Sequence, residues 1–438
     1  MTAPDVRDPG GVLLLATYEL GRPPASTARM AAHLEAAGFS PHAVDLSRDT
    51  LETEAVERAA LAVVATPMHT ALRLALEILP RLSGLPVCFA GHYAMLHAEH
   101  LLELGVGAVL GGELEGELVA LAKAIEAGDG LSGLVARPLR RLPVVATNGA
   151  SGDLSKYAHY VDAAGKHHLA GYIEATRGCL DHCRHCPIPP VYGGKFIAVD
   201  TGEVLGSIER QVDAGAVHVS FGDPDFLNGP THSLRICREL HRRWPQLTFD
   251  FTSQVSHILE NRVAVTELVE LGATFAVSAV ESLSNAVLAA IGKRHRRADV
   301  DAMLDWIGEI GLPVRPTFVP FTPWTELGDL VELTDWIADR GLAASVDPVQ
   351  LSVRLLVPPG SLMLDAHPHM FGPFDPALLS HAWHSPLDPL ARELAGIAAD
   401  GGDHAALSAA VRRAAGLPMR ASIAPDRPAP RISEPWFC

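Results

Sequence analysis

Cys179, Cys183 and Cys186 stand at x3 and x2 spacing in Arg177-Gly178-Cys179-Leu180-Asp181-His182-Cys183-Arg184-His185-Cys186-Pro187, directly after the strand-like stretch 169–175. Four thiolates would saturate the irons of a 4Fe-4S cluster, whereas three leave one iron open to a ligand that can react. His182 and His185 interleave the cysteines, so a Cys3His zinc site is the alternative. Structural zinc sites usually join two short knuckles across a longer loop. Here every candidate ligand falls within residues 179–186, and the crowding favours the cluster.

Such a loop needs a frame. Val12–Ala16 reads as a short buried strand, followed by a helix from Ala25 to Gly38. Further strands are expected at 42–46, 61–65, 86–90 and 108–110, with a helix from about 115 to 127. This alternation predicts an α/β fold that opens with a doubly wound, Rossmann-like parallel sheet over residues 1–128. Residues 129–166 are rich in Gly, Arg and Pro and read as a linker, with 139–143 packed on a domain surface.

From Leu169 a second βα series begins, with strands expected at 169–175, 217–221, 248–252, 274–278, 313–319 and 349–356. Six such units make a partial (β/α)6 barrel over residues 167–361, whose carboxyl-end mouth carries the loops. Residues 362–438 form a C-terminal extension with a helix from about 389 to 415. Its His367, His369, His381 and His384 match no closed metal site and read as surface or packing residues.

Composition narrows the partners. The 438-residue chain is 48% hydrophobic, enough for two or three domains, and carries a net charge of −16. A nucleic-acid backbone needs clustered Lys and Arg, so it is not expected as the partner. No apolar run reaches membrane-spanning length and no secretory signal opens the chain. Three of the six cysteines sit in one loop, which implies a reducing, cytoplasmic setting rather than a disulfide frame. Cys88 and Cys237 read as small hydrophobes.

The C-x3-C-x2-C loop resembles that of the radical S-adenosylmethionine (SAM) superfamily. The resemblance implies a 4Fe-4S cluster on Cys179, Cys183 and Cys186, SAM chelating the open iron, and an external electron donor of flavodoxin or ferredoxin type. It implies a small-molecule substrate attacked by a carbon radical from SAM. His185 holds the place of a residue that lies against adenine. Gly222, Asp223 and Pro224 match the turn that meets the SAM amino group, although a helix-capping aspartate would read the same way. Glu281 and Ser282 approach SAM by the same match. Arg294 is the candidate for its carboxylate, with Lys293 as substitute, and Leu355 is a candidate to pack on adenine. Phe321 and Trp324 suggest a pocket wall.

The first domain is similar to the cobalamin-binding domains that precede many radical SAM barrels. Their Asp-x-His-x-x-Gly signature is missing from the matching loop, residues 17–24, so a degenerate domain is expected and cobalamin is not favoured. Gly111-Gly112-Glu113 either contacts a ligand or makes a tight turn. The end of the chain, 431–438, resembles a radical SAM family whose tails finish Cys-Cys-Ala-Glu-Pro, or the same with selenocysteine second. This chain stops where that second residue would stand, as expected if a UGA codon there is read as stop. By that resemblance Cys438 is a catalytic thiol for soft ions. The implied reaction is transfer of the 3-amino-3-carboxypropyl group of SAM to trivalent arsenic. An incidental tail cysteine is the plainer alternative.

Overall fold

Val12–Ala16 (β1), His42–Asp45 (β2), Leu61–Ala65 (β3), Val87–Ala90 (β4), Ala108–Leu110 (β5) and Leu134–Ala136 (β6) form one parallel sheet in the order β2-β1-β3-β4-β5-β6. The computed structural model describes residues 4–131, 133–141, 153–420 and 429–434. Every residue of β1 and β3 is buried, because helices cover both faces. That is why these strands read as unbroken apolar runs rather than alternating ones. Leu13, Leu15, Val64 and Phe89 pack in one layer, and Leu14, Val63, Cys88 and Leu118 in the other. Strand order reverses between β1 and β3, where doubly wound sheets leave a crevice at the carboxyl ends of their strands.

The stretch expected to be a linker contributes β6, with Leu134 opposite Ala108. Three half-exposed edge residues give too short an apolar run to be told from a loop. The crossing also braces the turn after β5: Gly111 N donates to Ala136 O at 2.9 Å and Glu113 N to Pro138 O at 2.8 Å. Gly112 has φ +64°, and a Cβ there would meet Pro138 O at 2.3 Å.

The second sheet is also parallel. Its five strands are Ala170–Ile173, His218–Phe221, Thr248–Ser253, Ala273–Glu281 and Val314–Phe318, neighbours in that order. Its strand and helix side chains share one large core that includes Phe221, Phe249, Phe251 and Phe318. The sixth strand expected at 349–356 shrinks to a single parallel bridge, Phe321 with Arg354. Pro348–Ser352 is instead a short 3-10 helix, and the Gln350 side chain accepts from Phe318 N at 3.0 Å. A side-chain amide thus fills one ladder place that a strand would have taken.

At the far end of the barrel Tyr160 stacks on His218, ring centroids 4.0 Å apart. Tyr160–Val161 also pairs antiparallel with Arg431–Ile432, which brings the C-terminal tail back across the barrel. The expected helix from 389 to 415 is two helices, Asp388–Ala399 and His404–Ala414. Gly401 at φ +78° ends the first, and Asp403 caps the second by accepting from Ala406 N at 2.9 Å. Among the described residues, no helix is long and apolar enough to cross a membrane.

Candidate functional site

The cysteine loop leaves the barrel through a hairpin, Thr176–Gly178 against Phe196–Ala198. Gly178 has φ +75°, and a Cβ on it would meet Lys195 O at 2.3 Å; only glycine turns the chain there. Arg184 N donates to Ile291 O at 2.8 Å, and Cys186 N to Cys183 O at 3.2 Å. Arg177, just before the loop, is anchored outside the barrel. Its Nη1 lies 2.8 Å from Glu113 Oε2, which belongs to the first domain.

Cys179 and Cys183 are buried and Cys186 is half-buried. Burial pushes the Cys179 thiol up to about 12 and raises Cys183 and Cys186 as well. Bare, these are thiols; a metal that binds them displaces their protons. Polar side chains point at the sulfurs: Asn228 Oδ1 is 3.7 Å from Cys179 Sγ, and Gln254 Oε1 is 3.7 Å from Cys183 Sγ.

The zinc alternative lacks a fourth ligand. His182 is exposed and lies against Gly194, while His185 turns its Nε2 to Glu281 at 3.2 Å. Neither completes a ligand set with the three thiols, whereas a cluster with one open iron needs only those three.

A cavity of about 400 Å³ opens over the cysteines. Cys179, Cys183, Cys186, His185, Gly222, Asp223, Pro224, Glu281 and Leu355 all line it. So do Glu19, Arg22, Arg29, His92, Gly112 and Glu115 from the carboxyl ends of the first sheet. The two domains share one chamber. The sequence does not reveal that, because nothing in it says which loops of two sheets will face each other.

Several expected residues do other work. Asp223 accepts from Ala175 N at 3.0 Å and from Thr176 Oγ1 at 2.6 Å, so its carboxyl ties down the strand end before the hairpin instead of standing spare. Burial pushes it up to about 7 in spite of those bonds. Gly222 makes room for Tyr172, whose hydroxyl would lie 2.0 Å from an added Cβ. Ser282 Oγ accepts from Ser284 N at 3.1 Å, just ahead of the helix Asn285–Ala290, and does not line the cavity. Arg294 is half-exposed and off the cavity, paired with Glu260 at 2.8 Å and Asp181 at 3.4 Å. Phe321 is buried in the barrel core and Trp324 packs on His367, ring centroids 4.7 Å apart; neither walls the cavity, and Phe318 does. Cys438 lies outside the described residues.

Lys293 takes the place expected for Arg294. Its side chain is 2% exposed, faces the cavity, and sits 3.3 Å from Glu281 Oε1. Glu281 adopts φ +66°, a left-handed conformation unusual for glutamate, at a register shift with the next strand. Burial alone would raise the Glu281 carboxyl, but Lys293 and then His185 overcome it and hold it at about 2. Burial works against the Lys293 charge too; Glu281, ahead of Cys183, reverses this and raises it.

A further set of residues escaped the sequence reading. Asp225 is fully buried and accepts from Leu227 N, Ser253 Oγ, Gln254 N and His257 Nδ1 at 2.7–3.1 Å. Gln254 Nε2 in turn donates to Asp181 Oδ2 at 2.6 Å. This network fixes Gln254 against the cysteine loop. Its only sequence signal is an aspartate following a strand, which is too common to single out.

Residues 173–336 match the radical SAM superfamily, so the barrel is a radical SAM domain. No curated protein matches the chain. Among solved structures, the radical SAM methyltransferase TsrM from Kitasatospora setae, with cobalamin and a 4Fe-4S cluster bound, superposes with a TM-score of 0.60. The identity is 17%, covering 77% of this chain and 75% of that one. The cobalamin-dependent SAM radical enzyme OxsB, with aqua-cobalamin and SAM bound, gives a TM-score of 0.62 at 15% identity. That alignment covers 88% of this chain and 65% of OxsB, so the present chain spans just under two thirds of its length. At these identities the likeness is one of fold.

Proposed function

We propose that this radical SAM enzyme cleaves SAM by one-electron reduction and uses the resulting radical on a small molecule held between its two domains. A single observation carries the reading: three cysteines of one loop line a cavity that the carboxyl ends of a doubly wound sheet also line. Bound to Cys179, Cys183 and Cys186, a 4Fe-4S cluster supplies the electron and an open coordination position for SAM. The chain's own residues then bind and orient. Lys293 offers a buried cation to the SAM carboxylate, Glu281 an anion to its ammonium group, and His185 and Leu355 flat and apolar surfaces to adenine. The protein's contribution is orientation and exclusion of water; the cofactors carry the radical chemistry.

The loop after β1 lacks the Asp-x-His-x-x-Gly signature of cobalamin domains, and ion pairs cross the domain interface at Arg29–Glu174 (2.9 Å) and Arg177–Glu113 (2.8 Å). We read the first domain as a wall of the active site and route no step through cobalamin.

The finer reading is 3-amino-3-carboxypropyl transfer to trivalent arsenic. Its support is the returning tail: Arg431–Ile432 pairs beside the barrel, and Glu434 accepts from Tyr18 OH at 2.7 Å, next to the cavity-lining residues Glu19 and Leu20. Cys438 follows four residues after Glu434, a span of at most roughly 14 Å. The test is anaerobic reconstitution with iron and sulfide, then reduction by dithionite with SAM, with and without arsenite. SAM consumption confirms the coarser function. Methylthioadenosine with an arsenic-dependent product supports carboxypropyl transfer, whereas 5′-deoxyadenosine alone overturns it. Colourless protein holding stoichiometric zinc would overturn both.

A further inference from the structure

The loop after β1 reverses in a tight turn, Glu19-Leu20-Gly21-Arg22, closed by Arg22 N donating to Glu19 O at 3.0 Å. Both central residues have positive φ, +54° at Leu20 and +65° at Gly21. Glycine takes this conformation freely, but a leucine there is strained, and such strain persists only where surrounding structure enforces it. Here Ala158 N donates to Gly21 O at 2.8 Å, and Glu434 packs against Gly21. The turn stands at the switch point of the sheet and directs an acid and a base, three residues apart, into one chamber.

Glu19 and Arg22 are not joined to any side chain by a close salt bridge among the described residues. Glu19 is hydrogen-bonded by Ser26, and the nearby Arg29, which offsets part of the cost of burying it, is itself paired with Glu115 and Glu174. Burial pushes its carboxyl up to about 7. The Arg22 guanidinium carbon lies over the Tyr172 ring, 4.7 Å from its centroid, and a guanidinium held by an aromatic face can still offer its N–H fork to a planar anion. The two do not pair with each other. His92, from the turn after β4, lines the same chamber beside Tyr192 and is held neutral by burial, at about 4. Its ring nitrogens make no hydrogen bond among the described residues.

We propose that Glu19 and Arg22, with the imidazole of His92, form a recognition site for an α-amino carboxylate. Arg22 takes the carboxylate by a two-pronged hydrogen bond, Glu19 takes the ammonium group, and His92 hydrogen-bonds a polar atom of the ligand. The site is distinct from Lys293 and Glu281 on the barrel side, and it rests on reading the chamber as the place of reaction. Two sources share this chemistry: an amino-acid-like substrate, or the amino-carboxylate end of a fragment derived from SAM.

The test is calorimetric titration of full-length, anaerobically reconstituted enzyme with L-2-aminobutyrate, butyrate and n-propylamine. The amino acid is expected to bind at least about tenfold more tightly than either single-charge probe. Glu19→Gln and Arg22→Gln should each weaken it by about ten- to a hundredfold, while SAM affinity stays within about twofold. Should Arg22→Gln fold poorly, Arg22→Lys keeps the charge but loses the fork, and should show a partial loss. Equal binding of the three probes, or aminobutyrate affinity unmoved by both substitutions, overturns the proposal. Single turnover with carboxylate-labelled SAM separates the sources: label retained after desalting assigns the ligand to SAM, and label released assigns it to the substrate. Absence of SAM consumption with the binding pattern intact would sink the proposed reaction and leave the amino-carboxylate site standing.

Discussion

Lys293 Nζ lies 3.3 Å from Glu281 Oε1 inside the chamber, while the next residue, Arg294, turns out to Glu260 and Asp181. Lys293→Met should therefore weaken SAM binding by about ten- to a hundredfold, the worth of one charge-assisted hydrogen bond. Arg294→Ala should change it by less than about threefold. Equilibrium binding of SAM to the reconstituted enzyme reads both, and the opposite ranking would return the role to Arg294.

Replacing any one of Cys179, Cys183 or Cys186 with Ala should abolish cluster assembly and SAM cleavage. Cys88 and Cys237 are fully buried in apolar cores away from the cavity, so Ala there should leave iron and sulfide content unchanged. Iron analysis of the five variants decides the matter; iron retained in Cys183→Ala but lost in Cys237→Ala would reverse the assignment.

Asp223→Ala removes the acceptor of two buried hydrogen bonds. It should cost roughly 2–4 kcal/mol in urea unfolding and leave SAM affinity within about threefold. A large loss of SAM affinity in a fully stable variant would mean that the carboxylate meets SAM after all.

Two of the cavity acids, Glu281 and Asp223, give stability opposite pH dependences. Glu281 is held at about 2 in the fold, so its contribution is present above its ordinary value of 4.5 and is lost as pH falls from there toward about 2. Asp223 is raised to about 7; between about 4 and 7 the folded state holds a proton that the unfolded chain has released. Stability from this group therefore falls as pH rises through that window. Melting temperature compared across pH 5–8 (about three units) should fall more steeply for wild type than for Asp223→Asn. Parallel curves would remove Asp223 from the account.

Gly178→Ala should reduce iron content sharply with little effect on the first domain, because the added methyl meets Lys195 O and the Tyr192 ring. Loss of the brown colour with most of the circular dichroism retained is the expected outcome. Normal iron loading would show that the hairpin can shift to accept it.

The cysteine ligands were legible because spacing alone brings three thiols together in one short loop. The parallel sheets were legible because β1 and β3, buried on both faces, leave uninterrupted apolar runs. The choice between Lys293 and Arg294 was not: adjacent residues differ in direction, and that direction follows from the turn after Ile291 rather than from residue type. Asp225 was equally hidden, since its partners Ser253, Gln254 and His257 come from 28 to 32 residues away. The exchange of a sixth strand for the Gln350 side chain leaves no mark in hydrophobic pattern. Glu19 and Arg22 carry no sequence signal of their own; only the fold turns both into the chamber.

Arg177 stands two residues before the first cluster cysteine, yet its counterion Glu113 belongs to the other domain and is also hydrogen-bonded by Tyr192 OH at 3.2 Å. A domain swap that gave this barrel a different partner sheet would leave the buried guanidinium at the root of the metal loop with Glu174 alone, 3.2 Å from its Nε. Any graft would have to carry an acid at the position of Glu113, together with the turn that presents it. The boundary between the two folds is thus not a place where this chain can be divided, because Arg177–Glu113 and Arg29–Glu174 both cross it.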